Sequence, residues 1–101
     1  MNVYLDDKRP CPPDFFLVRT AKECIALIKH NKLSTLSLDY NLGRGNPTGY
    51  EVAKYMSANN VYANTIIIHS ADSVGRKRMA RLLRKHMPEH VLLIIRPTPS
   101  A

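Results

Sequence analysis

A chain of 101 residues with 45% apolar and 23% charged side chains, 7 prolines, 4 glycines and no tryptophan fits one small globular domain, and excludes a two-domain protein or a disordered tail. No apolar run is longer than Val91 to Ile95, far short of the roughly 20 residues of a membrane span, and Asp6 and Asp7 break any leader pattern, so a soluble, cytoplasmic protein is expected. The net charge of +7 is uneven: residues 72–101 hold seven Lys or Arg against two acids, residues 1–71 eight against six, which points the C-terminal third toward phosphate-rich ligands such as nucleotides or RNA.

In chain order, Asn2 to Leu5 reads as a first strand. The stretch Asp6 to Asp14 contains Pro10, Pro12 and Pro13, which excludes a helix and leaves an extended crossing to a second strand, Phe15 to Val18. Cys11, between prolines, and Cys24 have neither zinc spacing nor the density of a disulfide scaffold, so both read as free thiols. A first helix opens at the capping box Thr20 to Glu23 and buries Ala21, Cys24, Ile25 and Ile28. After a third strand, Thr35 to Leu38, a second box at Thr48 to Glu51 opens a helix that buries Val52, Ala53 and Met56. A fourth strand spans Thr65 to His69. A third helix starts near Asp72 or Ser73, buries Met79, Leu82, Leu83 and Met87, and stops around Pro88. The fifth strand is Val91 to Ile95; the remainder, Arg96 to Ala101, has two prolines and no helix. The alternation implies an α/β fold on a five-stranded parallel sheet, one domain over residues 1–97 with a short tail at 98–101.

Open parallel sheets bind ligands at the carboxyl ends of their strands. Here those ends are Asp6 and Asp7, Asp39, His69-Ser70-Ala71, and Arg96-Pro97. Three converging carboxylates repel one another unless a cation sits among them, and hard oxygen ligands suit Mg²⁺. A hydroxyl and an arginine on the neighbouring strands make a cradle for phosphoryl oxygens. Arg76, in the first turn of the third helix beside Asp72 and Ser73, can reinforce an anion site there, and Gly43 and Gly45 supply a flexible loop nearby. His69 follows three isoleucines, and strand alternation aims it away from Ser70.

An acidic pair after the first strand, an Asp after the third, Ser-Ala after the fourth and a basic residue with Pro after the fifth resemble a response-regulator receiver. Four segments, Leu5 to Pro10, Leu38 to Gly43, Thr48 to Val52 and His69 to Met79, more closely resemble the cyclic-phosphate processing receiver family. That resemblance implies a reduced flavodoxin-like, receiver-like fold with three helices mainly on one face, lacking the helices after the first and last strands. It also implies a domain that binds or hydrolyses a cyclic or terminal phosphate, of a nucleotide or an RNA end, in a pocket of Asp6, Asp7, Arg9, Asp39, His69, Ser70 and Arg76. On this reading Asp7 and Asp39 hold Mg²⁺ with Asp6 through water, while Ser70, Arg9, Arg76 and Arg96 hold phosphoryl oxygens. Asp39 is required for catalysis, and His69 or Tyr40 handles the proton. The family commonly has His then Asp after the central Asp; this chain has Tyr40 and Asn41. Two other readings stand beside this one: a signalling receiver phosphorylated on Asp39, and a non-catalytic module that binds nucleic acid or a partner through the basic helix.

Missing helices uncover one sheet face. Counting back from the pocket by twos places Val3, Leu5, Leu36, Leu38, Ile67, Leu93 and Ile95 under the helices. The open face then carries Asn2, Tyr4, Thr35 and Ser37 beside Ile66, Ile68, Leu92 and Ile94, an apolar patch that a two-fold homodimer would bury unless Pro10 to Pro13 and the tail fold over it.

Overall fold

The computed structural model describes residues 1–98. Five strands and three helices follow one another as β1 (Asn2–Leu5), β2 (Phe16–Val18), α1 (Ala21–His30), β3 (Thr35–Leu38), α2 (Gly49–Asn59), β4 (Thr65–Ile68), α3 (Ser73–His86) and β5 (Leu92–Ile95). Phe15, His69 and Val91 fall just outside the strands expected to contain them. Of the expected tail, Thr98 donates its N–H to Ser70 O (3.4 Å), and residues 99–101 lie outside the described residues. The sheet is wholly parallel in the order β2-β1-β3-β4-β5, so the chain reverses its winding between β1 and β3. Such a switch point opens a crevice at the carboxyl end of a sheet.

Local chemistry starts each helix. Thr20 accepts from Glu23 N and donates its hydroxyl to the Glu23 carboxylate, Thr48 accepts from Tyr50 N, and Asp72 accepts from Gly75 N. Each cap satisfies an N–H that has no partner within its helix. The helices form one layer, with α1 against β1, α3 against β4 and β5, and α2 packed between α1 and α3. Beneath them Val3, Leu5, Leu36, Leu38, Ile66 and Ile68 are fully buried in one cluster with Cys24, Val52, Met56, Met79 and Leu83. Burial pushes the Cys24 thiol up to about 12, and both cysteines are free. No helix among the described residues is long and apolar enough to cross a membrane.

The register corrects the expected faces at β4. Leu36 pairs with Ile66 and Leu38 with Ile68, so Ile66 and Ile68 lie under the helices and Ile67 turns to the open face. The reason is the row that closes the strands. Asp6 N donates to Val18 O, Asp39 N to Leu5 O, His69 N to Leu38 O and Arg96 N to Ile68 O. His69, not Ser70, is therefore the residue level with Asp39. Counting back from Ser70 shifts every β4 side chain to the wrong face.

Candidate functional site

The crevice between β1 and β3 is built around Asp6. Its Oδ1 accepts from Lys8 N and Arg9 N (2.9 Å each), and its Oδ2 lies 3.0 Å from His69 Nε2 and 3.3 Å from Arg9 Nη1. Burial alone would raise this carboxyl, but the backbone N–H groups of Arg9 and Lys8, with His69 and the Arg9 guanidinium, hold it below the usual range. Asp6 is fully buried, and these four partners occupy both its oxygens.

Asp39 behaves in the opposite way. Its Oδ1 accepts from Tyr40 N (2.8 Å), Ser70 donates to the carboxylate, and Arg9 Nη1 lies 3.8 Å from its Oδ2. Burial first, and the Asp6 charge second, outweigh these bonds and push Asp39 up to about 6. Oxygens of Asp6, Asp7 and Asp39 come within 4.8 Å of one another, an all-oxygen donor set that suits a hard divalent cation. Because Asp6 is saturated and Asp7 and Asp39 are not, the latter two fit direct coordination and Asp6 fits an outer position.

A cleft of about 460 Å³ opens over these acids, lined by Asp7, Lys8, Arg9, Asp39, Asn41, Gly43, Arg44, Ser70 and Ala71. Cations and carboxylates thus share one wall. Close backbone packing holds it in place. Gly49 N donates to Tyr40 O (2.9 Å), and a Cβ at Gly49 would run into the Asp39 carbonyl. A Cβ at Gly75 would run into the Tyr40 ring.

Of the residues expected here, Asp6, Asp7, Asp39, Arg9 and Ser70 come together. Asp6 is fully buried and does not line the cleft, and four others do not come to it either. Tyr40 packs on Gly75, and its hydroxyl accepts from Arg78 Nη1 (2.7 Å). His69 is buried, stacks on Tyr4 with ring centroids 4.2 Å apart, and bonds Ser37 Oγ through Nδ1 (2.6 Å). Burial, acting against the pull of Asp6, keeps the His69 pKa below its ordinary value, so the ring is a neutral bridge from Ser37 to Asp6 and has no free nitrogen. Arg76 donates to Ser70 O (2.6 Å) and faces a neighbouring groove. Arg96 is exposed at the end of β5, level with His69. The proton roles expected of His69 and Tyr40, and the direct phosphate contact expected of Arg96, therefore lack the required geometry.

Two cations went unnoticed in the sequence, Lys8 and Arg44. Lys8 directly follows the acidic pair and Arg44 stands between Gly43 and Gly45, whose positive φ angles (105° and 80°) curl the loop over the cleft. The Ser37–His69–Tyr4 cluster was equally hidden.

Among known families, the profile of the cyclic-phosphate processing receiver domain matches residues 1–85. No curated protein matches the chain. With five parallel strands in receiver order, the acidic crevice at their switch point and a match over most of its length, the chain belongs to the cyclic-phosphate processing receiver domain family.

Proposed function

We propose that the cleft binds a cyclic or terminal phosphate together with a divalent cation, Mg²⁺ by donor chemistry, and hydrolyses the cyclic ester. The observation that carries this reading is the meeting of Asp7 and Asp39, with the buried Asp6 beside them, and Lys8, Arg9, Arg44 and Ser70 at one cleft. Carboxylates alone would repel a phosphate and cations alone would need no acids; a metal-bridged phosphate uses both. Asp7 and Asp39 hold the cation, and Asp6, fixed by its Asx turn and by His69, orients its shell. When bound, the cation supplies charge neutralisation and a more acidic water.

The chain's own part is positional. Lys8, Arg9 and Arg44 take the non-bridging phosphoryl oxygens, and the Ser70 hydroxyl, held by Asp72 N (3.1 Å), turns its one proton from Asp39 to the phosphate on the β4 side. Water adds to phosphorus, one ring P–O bond breaks, and the departing oxygen takes a proton to leave a monoester. The attacking water releases its proton to solvent in the open cleft, and solvent returns one to the departing oxygen. His69 acts as a positioning residue for Asp6.

The test is turnover of a panel of 2′,3′-cyclic nucleotides with Mg²⁺. Hydrolysis that disappears on Asp39→Asn supports the reading; absence of both turnover and phosphate binding contradicts it. Asn41, which lines the cleft, donates to Asp72 Oδ2 (3.2 Å) and stands where the family commonly has Asp. Asn41→Asp is therefore expected to alter turnover more than Tyr40→His, whose side chain lies outside.

The contact between Ser70 and the buried Asp39 favours one second reading, phosphorylation of Asp39 as in signalling receivers. A stable adduct on Asp39 after acyl-phosphate treatment, without ester turnover, would select it.

A further inference from the structure

The acidic cleft is not alone among the described residues. A groove of about 870 Å³ runs between α3 and the edge strand β5. Arg76, Lys77, Arg81, Arg84 and Lys85 form one wall, while Ala80, Ile95 and Pro97 make an apolar floor. None of these five cations forms an ion pair among the described residues.

Helix electrostatics do not account for the pattern. Arg84 and Lys85 lie in the last turn, where the dipole favours cations, but Arg76 and Lys77 lie near the opposite end, where it does not. Lys77, Arg81 and Lys85 repeat at four-residue spacing, so like charges stack along one line and destabilise the helix. An anionic occupant reverses that cost.

The groove adjoins the cleft at the start of α3. Arg76 donates to Ser70 O at 2.6 Å, and Ser70 lines the cleft on the other side. We propose that this groove binds a single strand of nucleic acid whose terminal phosphate enters the cleft, an inference that rests on the phosphate-site reading above. From Arg76 to Lys85 the helix rises about 14 Å, room for a few nucleotides. Three of the five cations are arginines, whose planar guanidinium groups grip phosphate through two bonds and stack on bases, and the apolar floor suits base faces. An acidic peptide would match the charge, but would make no use of the neighbouring phosphate site.

The experiment uses the full chain and three probes: a labelled oligouridylate ending in 2′,3′-cyclic phosphate, the same strand ending in hydroxyl, and uridine 2′,3′-cyclic monophosphate. Affinities are measured for the native protein, for Arg81→Glu with Arg84→Glu, and for the milder pair Arg81→Ala with Arg84→Ala, each checked for unchanged melting. Both strands should lose about ten-fold or more in affinity on charge reversal and less on alanine substitution, with a shallower salt dependence, while mononucleotide binding stays unchanged. Strand binding that is indifferent to both pairs, or displaced as well by polyglutamate as by unlabelled oligouridylate, would overturn the groove proposal and leave the phosphate site standing. Loss of strand affinity in the variants, with no preference for the cyclic-phosphate end and no mononucleotide binding, would support the groove and overturn the phosphate site.

Discussion

Asp6 and Asp39 lie in one crevice and have opposite linkage to pH. The folded Asp39 keeps its proton up to about 6, whereas the unfolded chain releases it in the ordinary carboxylate range. Its contribution therefore favours folding at low pH and is lost as pH rises toward 6. Asp39→Asn should then stabilise the metal-free protein by ~2–3 kcal/mol at pH 7.5 and by little at pH 4, read from urea unfolding at both values. A loss of stability at pH 7.5 would contradict the buried-charge account. His69 and Asp6 have lowered pKa values, so their stabilisation is complete above their ordinary values and lost as pH falls through the shifted ones. Replacing His69 with Ala removes the partners of Ser37 Oγ and one of those of Asp6 Oδ2 and leaves a cavity beside Tyr4, a cost of about 2–4 kcal/mol. A lower affinity for Mg²⁺ should accompany it if His69 positions Asp6; unchanged affinity in a folded variant would make its role purely structural. The acids were legible in the sequence because they end strands. The commitment of His69 to Ser37 and Asp6 was not, since it depends on which residue of β4 stands level with Asp39.

At the scale of elements, the helix starts were readable because caps are local: a Thr or Asp side chain reaches N–H groups two or three residues ahead whatever the rest of the chain does. The docking of those starts on the strand ends was not, because it depends on two glycines far from their contacts. Gly49→Ala drives a methyl into the Asp39 backbone, which cannot yield without moving β3; Gly75→Ala meets the Tyr40 ring, which can turn. Both should destabilise through overpacking, by about 1–3 kcal/mol for Gly75→Ala and by more for Gly49→Ala. Thermal melting of the two variants checks the order. Equal or reversed losses would mean that the α2 start is not what fixes the Asp39 backbone.

For the whole molecule, the parallel sheet, its three helices and the β1–β2 connection without a helix followed from alternation and proline placement. The open face was only half legible. Asn2, Tyr4, Thr35 and Ser37 lie on it as expected, but β4 contributes Thr65 and a single isoleucine, Ile67, and Phe15 already packs edge-on against Tyr4 at 6.2 Å. The remaining apolar row along β4 and β5 runs from Ile67, already buried in the single chain, through the half-buried Ile94 to the 56% exposed Leu92. A homodimer through this row is the proposed assembly, with Ile94→Lys as its probe because Ile68 is buried under the helices. Light scattering at about 100 μM should show a dimer that this substitution dissociates. A monomer at that concentration would remove the proposal.

The central claim is a metal-supported phosphate site in the cleft at the β1–β3 switch point. Its most direct measurement is a titration with Mg²⁺ and inorganic phosphate, followed through the backbone amide resonances of the full chain. The account predicts saturable shifts concentrated at Asp7, Lys8, Gly43, Arg44 and Ser70, deeper phosphate saturation with Mg²⁺ present, and loss of both responses in Asp39→Asn. Amides that do not respond at millimolar Mg²⁺ and phosphate, or a response unchanged by Asp39→Asn, would contradict it.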